Sequence, residues 1–427
     1  MEPSRIVILN DRSVAAGGAT ALALLSAKLF CDAGFKVTYI TGDDGSQATL
    51  PSDVELIALG GSPLLQKRKV AAVRDGLYNF AARDLVSQTV RKLDGPGLVY
   101  HLHGWAQILS PAVFSALRCV EDRLLIHAHD FFMSCPTGSY FNYQSRQVCN
   151  LTPLSAKCST TDCDKRGPLH KPFRIARYVT RSRTFAGADS PALIAAIHPA
   201  MLSFLERADL SARQLRVVRN PANAYCSERV PAEDNDEIVF IGRVTQEKGI
   251  HLAIGAAAKA GRRLTVIGDG RERDRLSAEH PEVTWLGWLS HAKIAERIKS
   301  ARALVMPTLV PEPFGLVAVE ALQSGVPLVA FEHSFIASEA SDLGCAFLAK
   351  SLDPNALSQA LQLLDDYDAV KAASENAFRS AHTLTCTHTH WRDELLKLYR
   401  ELLVSSQQAR NVPEHRVISP TNEHVQA

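Results

Sequence analysis

The chain has 427 residues, of which 46% are hydrophobic and 22% charged, with a formal net charge of +2. That length predicts two domains, and the near-neutral balance excludes a nucleic-acid protein, which would concentrate positive charge on one face. With no run of roughly 20 apolar residues, strand-like sequence inside the first ten positions and nine cysteines in so long a chain, the expectation is a cytoplasmic protein with reduced thiols, without a membrane span or signal peptide.

In chain order, short β-branched runs alternate with helical stretches. RIVILN opens the pattern, and Gly17-Gly18 then lead into a helix over ATALALLSAKLFCDAG. KVTYIT, VELIAL, GLVYHLHG and RLLIHAHD are the next predicted strands of a first domain spanning 1–218. Residues 131–170 form a cysteine-containing insert with little periodicity. RNPANAYCSERVPAEDND (219–236), rich in Pro, Asn and acids, reads as a linker. A second domain, 237–385, repeats the opening: EIVFIGR leads through Glu247-Lys248-Gly249 into a helix and on to RLTVIGDG, followed by VTWLGW, ALVMP and PLVAF. Continuous apolar strands alternating with helices predict an α/β protein built of two Rossmann-like parallel-sheet domains facing across a cleft. An amphipathic helix over 386–404 is expected to pack back on the first domain, with a polar, disordered tail over 405–427.

The densest chemistry lies in PEPFGLVAVEALQSG. A strand ends, a Pro-rich loop carries Glu312, and a helix starting near Gly315 carries Glu320 about a turn and a half in. Unpaired N–H groups at a helix start favour a phosphate ester, while ionised glutamates accept hydrogen bonds from a polyol. Together they describe a site for something both sugar-like and phosphorylated, although Glu312 by itself reads equally as a solvated loop residue. In IGRVTQEKGIHLAI, Arg243 and Lys248 flank a strand-to-helix loop of the kind where parallel sheets place ligands. Alone, that pair reads equally as a solvated basic loop.

Gly17-Gly18, GRVTQEKG, VIGDGRERDRL and EPFGLVAVEALQSGVPLVA together resemble glycosyltransferase family 4, from about residue 5 to about residue 400 and most strongly over 237–330. The resemblance implies a GT-B fold and a retaining, metal-independent transfer of a sugar from a nucleotide diphosphate donor to a hydroxyl acceptor. It implies that Arg243 and Lys248 hold the donor diphosphate and that Glu320 binds the ribose hydroxyls. Glu312, with the amides of Phe314, Gly315 and Leu316, would hold the transferred sugar. Gly18, beside Gly17, would let the first-domain backbone close on the donor phosphate. His103 matches the position that abuts the transferred sugar. By family habit the acceptor is a cell-surface polysaccharide or its lipid carrier.

His101 and His103, and His127 and His129, end two neighbouring predicted strands. In each pair the member nearer the loop is the expected ligand contact, so His103 faces the donor, and His129 with Asp130 the acceptor side, while His101 and His127 are expected as buried structural residues. Cys135, Cys149, Cys158 and Cys163 fall inside the irregular insert, which a structural zinc site of four thiolates would order; reduced or bridged thiols are the equal alternative, since no CxxC pair is present. Arg174, Arg177 and Arg181 at helical spacing beside Phe173 and Tyr178, and a second run of Lys67, Arg68, Lys69 and Arg74, form basic patches suited to peripheral contact with an anionic membrane at its inner face. The competing functions are a GT-B nucleotide-sugar epimerase, a sugar phosphorylase, or a catalytically silent nucleotide-sugar-binding protein. A Rossmann dehydrogenase lacks support because the GxGxxG fingerprint is absent.

Overall fold

A computed structural model of the protein describes residues 1–15 and 17–411. The first domain holds a seven-stranded sheet of β1 (Arg5–Asn10), β2 (Lys36–Thr41), β3 (Glu55–Ala58), β4 (Leu98–Leu102), β5 (Leu124–Ala128), β6 (Leu193–Ala196) and β7 (Leu215–Val217), in the order β3-β2-β1-β4-β5-β6-β7. Every pairing in it is parallel, with Ile8 opposite both Tyr39 and His101. Its central strands are buried end to end, which is why they are continuous apolar runs without alternation. Helix α1 (Gly18–Asp32) follows β1 and lays Leu22, Ala23, Ala27 and Phe30 on the sheet.

The second domain holds β8 (Glu237–Ile241), β9 (Leu264–Ile267), β10 (Thr284–Gly287), β11 (Ala301–Met306), β12 (Leu328–Phe331) and β13 (Ala346–Ala349), in the order β10-β9-β8-β11-β12-β13 and again all parallel. In each sheet the strand order reverses at the first strand. The loops leaving β1 and β8 therefore emerge at switch points, where open α/β sheets leave a crevice.

Three strands of the two large sheets escaped the sequence pattern: β6, β7 and β13. Each has only three or four residues, and LIAA and AFLA are as compatible with helix as with strand. Parallel pairing with a buried neighbour, not local propensity, decides their state.

The chain crosses between the domains twice, side by side. Pro221 forms an isolated parallel bridge with Cys386, and Thr385 Oγ1 donates to the Asn220 carbonyl at 2.6 Å. After the second crossing, the C-terminal helix runs over His388–Asn411, past the predicted end at 404. It buries Trp391, Leu395, Tyr399, Leu402 and Leu403 against Ile6, Ile8, Phe30, Tyr39, Val99 and Leu125 of the first domain. At about 1.5–3 kcal/mol per large apolar side chain, this is a substantial attachment. The part of the expected tail over 405–411 is thus helical, and 412–427 lie outside the described residues.

Candidate active site

Strand β8 hands over at Gly242 to a loop that closes with a 3-10 turn, Gln246–Lys248, and enters a second helix, α2 (Ile250–Lys259). Gly249 joins them with φ +70, and a Cβ there would lie 1.8 Å from the Pro307 carbonyl oxygen. Only glycine permits that approach. It sets the β8 loop directly on the chain leaving β11, so Lys248 Nζ meets Glu312 Oε2 at 2.5 Å. Thr308 Oγ1 donates to the same oxygen at 3.3 Å. Burial alone would raise the Glu312 pKa, but Lys248, the Thr308 hydrogen bond and the Arg243 charge outweigh it and hold the carboxyl below its usual value. Arg243 is exposed and, among the described residues, its side chain has no hydrogen-bond or ion-pair partner.

Gly315, at φ +81, starts helix α3 (Leu316–Gln323), with Phe314 buried behind it. Glu320 projects from the next turn. Its Oε2 accepts from the Tyr225 hydroxyl at 2.7 Å, and the His291 ring lies 3.9 Å from Oε1 and packs on Tyr225 with centroids 4.7 Å apart. Burial pushes the Glu320 pKa up to about 7, against the lowering effect of the Tyr225 hydrogen bond. Tyr225 is itself anchored, because its amide donates to Ser324 Oγ while that hydroxyl donates to the Glu320 carbonyl. Tyr225, His291 and Thr308 were not anticipated. Tyr225 sits in the segment read as a linker, and nothing local marks it as a partner of a helix 95 residues away.

From the other domain, the β1 loop meets this helix start: a Cβ on Gly18 would lie 3.2 Å from Leu316 Cδ1, whereas Gly17 faces open space. The four histidines form one block at the ends of β4 and β5. His103 Nδ1 pairs with His129 Nε2 at 2.9 Å and His101 Nε2 with His127 Nδ1 at 3.1 Å, while His101 Nδ1 reaches the Tyr399 hydroxyl of the C-terminal helix at 2.7 Å. Burial lowers the pKa of all four, so the rings are neutral near pH 7. His103 Nε2 is buried without a protein partner. His103 is only 4% exposed, so the ring nearer the loop is almost as enclosed as His101. His101, His103 and His127 also form the one group among the described residues whose ligand-type atoms lie mutually within 4.8 Å. Asp130 is exposed and accepts from the Phe132 amide at 2.9 Å.

One basic patch is not a surface. In the helix His170–Thr184, Arg177 donates to the Ala106 carbonyl and Arg181 to the Met133 carbonyl, both buried, and Arg174 pairs with Asp164. Helical spacing of arginines predicted a cationic face; Arg177 and Arg181 instead satisfy the backbone carbonyls of Ala106 and Met133, and Arg174 the Asp164 carboxylate, so they offer no membrane contact. In the other patch, Lys67 and Arg74 share Asp75, and Arg68 and Lys69 are exposed. The four cysteines of the insert are free thiols around one small cavity.

Residues 227–380 match the glycosyl transferases group 1 family. A glycogen synthase of Mycobacterium tuberculosis is 26% identical over 219 residues, 48% of this chain and 51% of that protein. A D-inositol 3-phosphate glycosyltransferase of Mycolicibacterium paratuberculosis is 30% identical over 183 residues, 40% of this chain and 41% of that protein. The chain thus spans about half the length of the curated relatives it matches. Among solved structures, a sucrose-phosphate synthase from Thermosynechococcus elongatus superposes with a TM-score of 0.71 at 18% identity, covering 94% of this chain and 100% of that one. HepE of Anabaena, in complex with UDP-glucose, superposes at 0.64 and 18% identity, covering 93% and 99%. Two parallel-sheet domains in this arrangement are the GT-B fold, and residues 227–380, most of the second domain, are similar to the glycosyl transferases group 1 family.

Proposed function

We propose that the protein is a retaining glycosyltransferase that moves a sugar from a nucleotide diphosphate donor to a hydroxyl acceptor in the synthesis of a cell-surface polysaccharide or lipid-linked glycan. The observation that carries this reading is the convergence of Arg243, Lys248 and Glu312 at one end of α3 with Glu320 one turn further on. Glycosyl–phosphate cleavage builds negative charge on the leaving phosphate. Arg243 and Lys248 supply fixed positive charge for it, a role a metal ion fills elsewhere. Glu320 accepts from the ribose hydroxyls, while Glu312 and the amides of Phe314, Gly315 and Leu316, which have no backbone acceptor among the described residues, bind the sugar. Neutral His103 faces the sugar from the first domain, and His129 with Asp130 lies toward the acceptor. A leaving phosphate oxygen takes the acceptor's proton on the same face. The UDP-glucose complex of the structural neighbour HepE supports a nucleotide-sugar donor.

Thermal-shift titration with nucleoside diphosphates tests the donor site, because a ligand that binds only the folded state raises the melting midpoint. One nucleotide should shift the wild-type protein and fail to shift Glu320→Ala. Lys248→Ala should retain the fold and lose on the order of 10²–10³ in kcat. A midpoint that no nucleoside diphosphate moves would overturn the reading, and turnover of donor without acceptor would favour the epimerase.

For the lipid-linked acceptor, the segment Leu64–Leu77 supplies an apolar and basic surface. Leu65, Val70 and Val73 are exposed beside Arg68 and Lys69, the composition of an interfacial segment. Anionic liposomes should pull down the wild-type protein in a salt-dependent manner and retain much less of Val70→Glu. Equal recovery of the two proteins would remove membrane contact from the proposal.

A further inference from the structure

Outside the donor cleft, the segment between Asp130 and the helix at His170 is held by almost no regular structure. It contains a hairpin of two-residue strands, Phe141–Asn142 with Gln147–Val148, and a five-residue helix, Ala156–Thr160. Non-glycine residues Tyr140, Arg146 and Leu154 all take positive φ. Such a segment needs cross-links of some kind to stay in one conformation. Yet it is well packed, and it reaches the other domain. Phe141 is buried in the core of the second domain, and Lys165 Nζ bonds Glu247 Oε1 at 2.8 Å, next to Lys248.

Cys135, Cys149, Cys158 and Cys163 come from four separate places along this segment and wall a single cavity of about 20 Å³. One water-sized sphere needs roughly 10–15 Å³ by this measure, so the space suits one atom-sized occupant. Three of the thiols are at most 8% exposed. A second observation comes from the charge. Lys171 is 5% exposed, lines the same cavity and donates to Cys163 Sγ at 2.9 Å, and no carboxylate pairs with it among the described residues. A buried ammonium without an anion is costly, and a thiol is a poor substitute. Four thiolates around a divalent ion carry a net charge of −2, which a buried lysine complements.

We propose that Cys135, Cys149, Cys158 and Cys163 form a structural site for a zinc-class divalent cation, with Lys171 as its buried counter-charge. Binding releases four thiol protons and forms four metal–sulfur bonds. No three of the sulfurs yet lie mutually within 4.8 Å. Zinc–sulfur bonds of roughly 2.3 Å therefore require the thiols to turn inward about χ1, toward the centre of the cavity they already line. The site braces the segment that carries Phe141 and Lys165 onto the donor domain.

Metal analysis of the purified full-length protein, with cobalt(II) substitution as a spectroscopic probe, tests the site. The expected result is about one zinc per chain and, after exchange, the visible bands and sulfur-to-cobalt charge transfer of a tetrahedral thiolate complex. Cys158→Ser should lose both, whereas Cys119→Ser, at an exposed thiol outside the segment, should keep both. Should Cys158→Ser fail to fold, the wild-type cobalt spectrum stands as the independent reading. Absence of stoichiometric zinc together with a cobalt spectrum of octahedral type would overturn the proposal. So would an intact mass lowered by two hydrogens per cysteine pair, which would show disulfides in its place.

Discussion

Glu320 carries two opposed demands. In the proposed role of ribose anchor it must be ionised, yet burial moves its pKa from 4.5 to about 7. At roughly 1.4 kcal/mol per unit, the shift corresponds to on the order of 3 kcal/mol. The folded form binds the proton more tightly than the unfolded chain does. This stabilisation is therefore fully present below 4.5 and lost as pH rises through 7. Glu320→Gln removes the buried charge and should raise stability at about pH 8 by up to about 3 kcal/mol in urea unfolding, while nucleotide affinity falls. Wild-type affinity should also weaken as pH drops below 7, and that dependence should flatten in the variant. Calorimetric titration at two pH values checks it; identical pH profiles would mean that Glu320 does not titrate in the site. Glu312 behaves in the opposite way, because Lys248 keeps it ionised. The two glutamates of one motif thus have different electrostatic settings, which their spacing does not reveal.

At the scale of elements, the ends of β4 and β5 concentrate four neutral histidines, tied by His101 to Tyr399 of the C-terminal helix. Their folded pKa values are depressed below 6.5 by burial. The stability gained by keeping them neutral is present above 6.5 and is lost as pH falls below it. Each ring then costs up to about 1.4 kcal/mol per pH unit. Four such rings outnumber the raised carboxyls of Glu320, Asp130 and Asp11, which act in the opposite direction. Urea midpoints should fall steeply between about pH 7 and about pH 5, and more shallowly in a protein carrying His127→Asn. The alternation that placed these histidines at strand ends was legible in YHLHGW and IHAHDF, since strand residues two apart share a face. Their pairing was not, because β4 and β5 are joined only through parallel register. The short strands β6, β7 and β13 were hidden for a related reason, as pairing partners distant in sequence decide their state.

At the scale of the whole molecule, the two domains meet at opposite ends of a shared seam. Gly18 approaches Leu316 at the start of α3, while Arg219 binds Glu339 through two hydrogen bonds of 2.7 and 2.8 Å beside the paired chain crossings. His198 joins the same carboxylate, and Phe335 packs among Phe131, His198 and Phe204. The paired crossings thus lie at one end of the seam, and the contacts of Gly18, Phe141 and Lys165 with the second domain lie toward the other. The C-terminal helix returns the chain to the first domain and thereby ties the second crossing to the histidine block.

By itself the sequence determined the two parallel-sheet domains, the helix starts at Gly18 and Leu316, and the concentration of Glu312, Glu320, Arg243 and Lys248 near the ends of second-domain strands. Those features are written in local apolar runs, glycines and charges, which act over a few residues. Tertiary structure decided which charges meet. It gave Lys248 to Glu312, Tyr225 to Glu320, and Arg177 and Arg181 to backbone carbonyls in place of solvent. It also drew four cysteines and Lys171 around one cavity. The physical reason is that burial and partner choice depend on neighbours brought together by folding, and pairing energies act through space without regard to separation along the chain.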